Sequence, residues 1–152
     1  MSADAMKAGM NILLPKVSKD RIQKRGIAVV GTVKGDIHEI GKNILSALLT
    51  AAGFDVHDLG CDVQASEFVR RAEEVGANMI LASALMTTTL PGQKDILDYL
   101  ASVGKRDKYV VLVGGGPTTA EWSEEIGADG YAETAVDGVK LALKMFEERR
   151  KR

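Results

Sequence analysis

The sequence predicts an α/β protein: a parallel five-stranded sheet with helices packed on both faces. Two observations carry this. Short β-branched runs bounded by glycine alternate with segments of helical periodicity from Gly26 to the C-terminus. The strand runs are apolar throughout rather than alternating, as burial on both faces requires.

Each element has its own signal. Residues 26–31 (Gly-Ile-Ala-Val-Val-Gly) predict the first strand, and 40–52 a helix stopped by Gly53. Residues 54–59 predict the second strand, and 65–75 a helix stopped by Gly76. A third strand is expected at 78–83 and a helix at 90–103, with Gly104 after it. A fourth strand is expected at 109–113, then a helix at 118–126, capped by Thr118 or Thr119 and stopped by Gly127. A short strand at 129–132 and a helix at 134–148 complete the pattern. Ahead of it, 4–14 reads as a short amphipathic helix ended by Pro15, and 17–25 as a polar linker. Residues 1–25 and 26–152 are thus the two expected units.

Right-handed crossovers leave few ways to connect such strands. The flavodoxin-like order 2-1-3-4-5 fits best, with its switch point between strands 1 and 3. Ligands of such sheets bind there, at the carboxyl ends of the strands. The loops to inspect are 32–39, 84–89 and 114–119.

Composition narrows the function classes. The chain has 152 residues, 45% hydrophobic and 27% charged, with net charge -1. A nucleic-acid or anionic-membrane footprint would need a basic excess. Cys61 is the lone cysteine, so neither an intrachain disulfide nor a cysteine zinc site is available. No apolar run reaches the roughly 18 residues of a membrane span, and residues 1–9 lack a signal-peptide core. The expectation is a cytoplasmic protein that binds neither nucleic acid nor membrane.

The first loop is long for a strand-to-helix connection and holds Asp36-Ile37-His38 among glycines. An Asp-x-His pair can fold so that the carboxylate takes one ring nitrogen and leaves the other for a metal. Alternatively, the pair caps the helix near Ile40. The second loop, Ser83-Ala84-Leu85-Met86-Thr87-Thr88-Thr89, offers hydroxyls to a ligand or to Asp36, or else caps the next helix through Thr88 or Thr89. The third, Gly114-Gly115-Gly116-Pro117, permits close backbone approach to something flat, or is a plain tight turn. It matches neither a P-loop nor a dinucleotide fingerprint. An acidic pair at the end of strand 1, which a response regulator needs, is missing. His57 and Trp122 read as structural residues, and Cys61 as a semi-buried packing residue.

Together the three loops resemble the cobalamin-binding domains, whose pattern is Asp-x-His-x-x-Gly, then Ser-x-Leu, then Gly-Gly. Here the parts are Asp36 to Gly41, Ser83-Ala84-Leu85, and Gly114-Gly115, and the stretches between them fit the family spacing. The resemblance runs from about Ala5 onward. It implies a corrinoid cofactor with His38 as axial ligand to cobalt and Asp36 as its hydrogen-bonded partner. It implies that Thr89 extends this relay with a hydroxyl. It further implies that Ser83, Leu85, Gly114, Gly115 and Gly116 line the slot for the nucleotide tail. Thr87 would touch the benzimidazole or the ring's lower face, Gly41 would let the helix pass close, and Tyr131 would help close the far side. Ile37 lies within the binding loop.

The stretches 31–43 and 83–89 look like methyl-carrying corrinoid proteins, including methionine synthase and the methanol and methylamine systems. Adenosylcobalamin mutase domains typically have Asp-Arg in place of Glu39-Ile40. The resemblance therefore implies a carrier subunit, not catalytic alone. It would take a methyl group from a substrate-specific corrinoid methyltransferase and pass it to a second methyltransferase, for coenzyme M or tetrahydrofolate. A reductive activase and a second copy of the chain are further expected partners. The alternatives are a corrinoid sensor or storage module, or a mutase domain. Residues 1–25 match only the end of the family's helical cap, so the reactive face would be exposed, or covered by a partner or a second copy.

Overall fold

A computed structural model describes residues 26–150. The expected helix at 4–14 and linker at 17–25 lie outside the described residues. Strands β1 (Ile27–Thr32), β2 (Asp55–Asp58), β3 (Met79–Ser83), β4 (Val110–Gly114) and β5 (Gly130–Ala132) form one parallel sheet in the order 2-1-3-4-5. Helices α1 (Ile40–Ala51), α2 (Ala65–Val75), α3 (Pro91–Ser102), α4 (Ala120–Ile126) and α5 (Ala135–Arg150) connect and follow them. The expected order and all ten elements are present, with boundaries shifted by one or two residues. A short 3-10 turn at Arg106–Lys108, formed by polar residues, is the one element not anticipated.

The apolar strand residues split by side into two cores. Val29, Ile80, Val111 and Val113 pack against Phe68 of α2, Ile96, Leu97 and Leu100 of α3, and Ile126 of α4. Ala28, Val30, Leu81 and Leu112 pack on the opposite face against Leu49 of α1 and Ala142 of α5. Phe54 and Phe146 meet edge to face there, 5.8 Å apart. Each fully buried large side chain contributes roughly 1.5–3 kcal/mol. Gly76 and Gly127 end α2 and α4 in the left-handed conformation that favours glycine. Thr119, one of the two expected caps, accepts from the Trp122 N–H. Trp122 packs against the first core, as expected of a structural residue.

The crevice follows from this layering. β1 leads to α1 on one face, while its neighbour β3 leads to α3 on the other. The loops after β1, β3 and β4 part at the carboxyl edge, where Thr32 pairs with Ser83 and Ser83 with Gly114.

Candidate functional site

The loop between β1 and α1 is pinned on several sides. Val33 bridges to Val63, the Gly35 N–H donates to Asp62 Oδ1 (2.8 Å), and the Asp62 N–H donates to the Asp36 carbonyl (2.9 Å). The buried Thr32 hydroxyl donates to the His38 carbonyl (2.9 Å). This clamp places the Asp36 carboxylate fully inside, with all its capacity spent. Oδ1 accepts from the His38 N–H (3.1 Å) and pairs with ring Nδ1 (2.7 Å). Oδ2 accepts from the Leu85 N–H and the Thr89 hydroxyl, both at 2.7 Å.

An ionised carboxylate can only accept, so Nδ1 carries the proton and the neutral ring presents Nε2 as its lone pair. The His38 side chain is half exposed. The capping alternative fails: α1 begins at Glu39 with no side-chain cap, and Asp36 points away to the β3 loop. Thr89 likewise serves Asp36, and α3 begins without a side-chain cap.

Burial by itself would raise the Asp36 carboxyl. The hydrogen bonds from the Leu85 N–H, the Thr89 hydroxyl and His38 outweigh it and hold the group at about 2. With the folded value depressed, the stabilisation is complete above the ordinary value of 3.8 and is lost as pH falls through about 2. The contribution is about 2 kcal/mol. Glu73 is also held to about 2, by Lys108 and Lys105, and so contributes to the same acid window. Comparing wild type with Asp36→Asn by urea unfolding isolates the Asp36 share. The stability gap is expected to shrink by about 2 kcal/mol from about pH 5 to pH 2; a gap flat across that window would contradict this account.

A cleft of about 300 Å³, which Leu85 joins to the Asp36–His38 pair, runs between the sheet edge, α1 and the start of α5. Its walls bring together Gly41, Ser83, Leu85, Gly114, Gly115 and Gly116 from the expected set. Gly115 has φ +116°, and a Cβ there would fall 1.8 Å from the Ala84 carbonyl oxygen, so this is no ordinary turn. Nothing lies within 4 Å of where a Gly41 Cβ would project. Three expected residues are placed elsewhere. Thr87 is exposed and outside the cleft lining, and Ile37 stands at the rim, 74% exposed. Tyr131 pairs with Val113 within the sheet, while its neighbours Ala132, Glu133 and Thr134 line the cleft. The strand's alternation turns adjacent side chains to opposite faces.

Sequence reasoning missed the α1 and α5 walls: Ile44, Leu45, Ala135 and Gly138. Gly138 was a readable signal. A helical glycine marks close approach, and a Cβ there would come within 3.0 Å of Leu45. Also missed was Lys42, buried with its ammonium 2.6 Å from Asp58. His57 pairs with Asp55 on β2, away from the cleft.

Among the described residues no cluster of three His, Cys, Asp or Glu could hold a metal ion. His38 alone offers one nitrogen donor. One donor near a mainly apolar cleft suits a metal whose other ligands arrive with a macrocycle and whose appendage needs burial. The exposed apolar residues Ile37, Ile40, Leu85 and Met86 ring the same edge. No described helix is long and apolar enough to cross a membrane.

Comparison with known proteins agrees with this arrangement. Residues 26–140 match the family model of the B12 binding domain. The chain is 55% identical over 149 residues to a corrinoid protein of Desulfitobacterium hafniense, covering 96% of this chain and 69% of that one. It is 51% identical to dimethylamine corrinoid protein 3 of Methanosarcina mazei, covering 96% and 88%. The methanol:cobalamin methyltransferase complex of Methanosarcina barkeri contains a chain that superposes with TM-score 0.79 at 35% identity. That match spans 96% of this chain and 55% of that one.

Proposed function

The chain belongs to the B12-binding domain family, and from that premise we propose that it is a corrinoid methyl carrier working between two methyltransferases. The observation that supports this most is the Asp36–His38 pair, which engages Nδ1 and leaves Nε2 without a partner among the described residues, while Leu85 joins Asp36 to the cleft. A bound corrinoid supplies a cobalt that takes up and releases a methyl group. The protein's share is positioning. His38 Nε2 would hold the cobalt, and Asp36 would fix its tautomer and ring orientation. Leu85 and Thr89 hold Asp36 in turn.

The cleft, walled by Ser83, Leu85 and the three glycines, takes the nucleotide tail. Ile37, Ile40, Met86 and Thr87, exposed at the same edge, would face the corrinoid ring. The expected partners are a substrate-specific methyltransferase, a second one for coenzyme M or tetrahydrofolate, and a reductive activase. The relatives named above support amine or methanol systems as the source of the methyl group.

The test is to load the chain with hydroxocobalamin, reduce it, and add a methylamine or methanol with its matching methyltransferase. Uptake of one methyl group per corrinoid, followed by transfer to a thiol or folate acceptor with the second enzyme, is expected. Tight binding without methyl uptake would point to a sensor or storage module instead.

A further inference from the structure

Gln93 lies in α3, on the opposite face of the sheet from the cleft, and is completely buried. Its amide is fixed at both ends. Nε2 donates to the Ala82 carbonyl (3.0 Å), the Gly114 carbonyl (2.9 Å) and the Thr118 hydroxyl (3.3 Å). Oε1 accepts from the indole N–H of Trp122 at 3.0 Å. An indole N–H can only donate, so Trp122 decides which end of the amide faces the strands. The Gly114 carbonyl also accepts from the Ala84 N–H (3.1 Å) and the Thr118 hydroxyl (3.0 Å). Three donors therefore converge on the carbonyl that precedes Gly115, whose left-handed conformation forms the cleft wall against Ala84.

Burying a glutamine amide is costly unless every polar atom is matched. Here the matches go to the carboxyl ends of β3 and β4 and to the α4 region. Ala82 and Gly114 are themselves cleft-lining residues, whereas Gln93 is not. We propose that Gln93, oriented by Trp122, is a positioning residue that fixes the ends of β3 and β4 and thereby sets the cleft's fit for the nucleotide tail. It acts through Ala82 and Gly114, and the inference rests on the cleft being the tail's site.

The test compares hydroxocobalamin with diaquocobinamide, which lacks the nucleotide tail, on the full chain. Gln93→Met keeps length and volume but removes the donors. It is expected to weaken hydroxocobalamin binding about tenfold or more, the loss from unmade buried hydrogen bonds. Cobinamide binding should change less than about twofold on the same reasoning, with the visible signature of histidine ligation retained for both. Trp122→Phe, which removes the indole donor and frees the Gln93 amide to turn while keeping an aromatic ring against the core, should weaken hydroxocobalamin relative to cobinamide in the same direction by a smaller factor. It carries the test alone if Gln93→Met does not fold. Equal losses for the two corrinoids, or an unchanged ratio in a folded variant, would overturn the proposal. A wild-type protein that binds neither corrinoid would refute the reading of the cleft as well.

Discussion

Replacing His38 with alanine is expected to abolish the histidine-ligated visible spectrum of bound cobalamin while leaving the apo fold nearly intact. The ring is half exposed and, among the described residues, makes one side-chain hydrogen bond, Nδ1 to Asp36. Losing it costs roughly 0.5–1.5 kcal/mol. Binding is a different matter. Altering only the hydrogen-bonded partner of a metal ligand costs roughly 10–100-fold in affinity, so removing the ligand itself should cost at least as much. Asp36→Ala should show the opposite balance. It leaves the buried Thr89 hydroxyl and the Leu85 N–H without their acceptor, so apo stability and histidine ligation should fall together. Equilibrium titration with hydroxocobalamin, paired with urea unfolding of each apo variant, separates the two effects. An unchanged bound spectrum in His38→Ala would contradict the assignment.

The second large effect is expected at Gly115. An alanine there must adopt φ +116° and place its Cβ 1.8 Å from the Ala84 carbonyl oxygen. The left-handed conformation alone costs about 1–2 kcal/mol for a residue with a Cβ. Backbone overlap of this kind adds about 1–3 kcal/mol more, because the strand ends must shift. Unfolding stability should fall by about 2–5 kcal/mol, enough to lower Tm by roughly 5–20 °C in a domain of this size. Gly41→Ala is the informative contrast, since nothing lies within 4 Å of the new Cβ. The helix should be unharmed or stabilised by about 0.5–1 kcal/mol. Gly41 lines the cleft, however, so the added methyl should narrow it and weaken cobalamin binding without any loss of stability. Comparable unfolding midpoints for the Gly115→Ala and wild-type proteins would contradict the geometry assigned to that loop.

Much of this was legible in the sequence for a physical reason. A strand buried on both faces must be apolar throughout, and helices must end where glycine permits it, so element order and sheet order followed. Asp36 and His38 could be paired because two residues of extended loop bring an imidazole back onto a carboxylate. What local pattern could not decide was direction. Of the neighbouring threonines, Thr89 turns inward to Asp36 and Thr87 outward, and the start of α3 at Pro91 determines which. At β5 the pleat turns Tyr131 away from the cleft and Ala132 toward it. Gln93 gave no signal at all. A polar residue on a helix reads as solvent-facing until the sheet carbonyls and the Trp122 indole are brought around it. Both kinds of miss come from tertiary placement overriding local periodicity.

The most direct test of His38 as the cobalt ligand is electron paramagnetic resonance of the protein loaded with cob(II)alamin, with histidine labelled by the spin-one-half nitrogen isotope. Natural nitrogen, spin one, splits each cobalt line into a triplet. If Nε2 of His38 is the axial ligand, labelling converts the triplets to doublets, and His38→Ala loses the doublets. Triplets that persist in the labelled protein would mean that the cofactor's own benzimidazole still holds the cobalt, and would contradict the account.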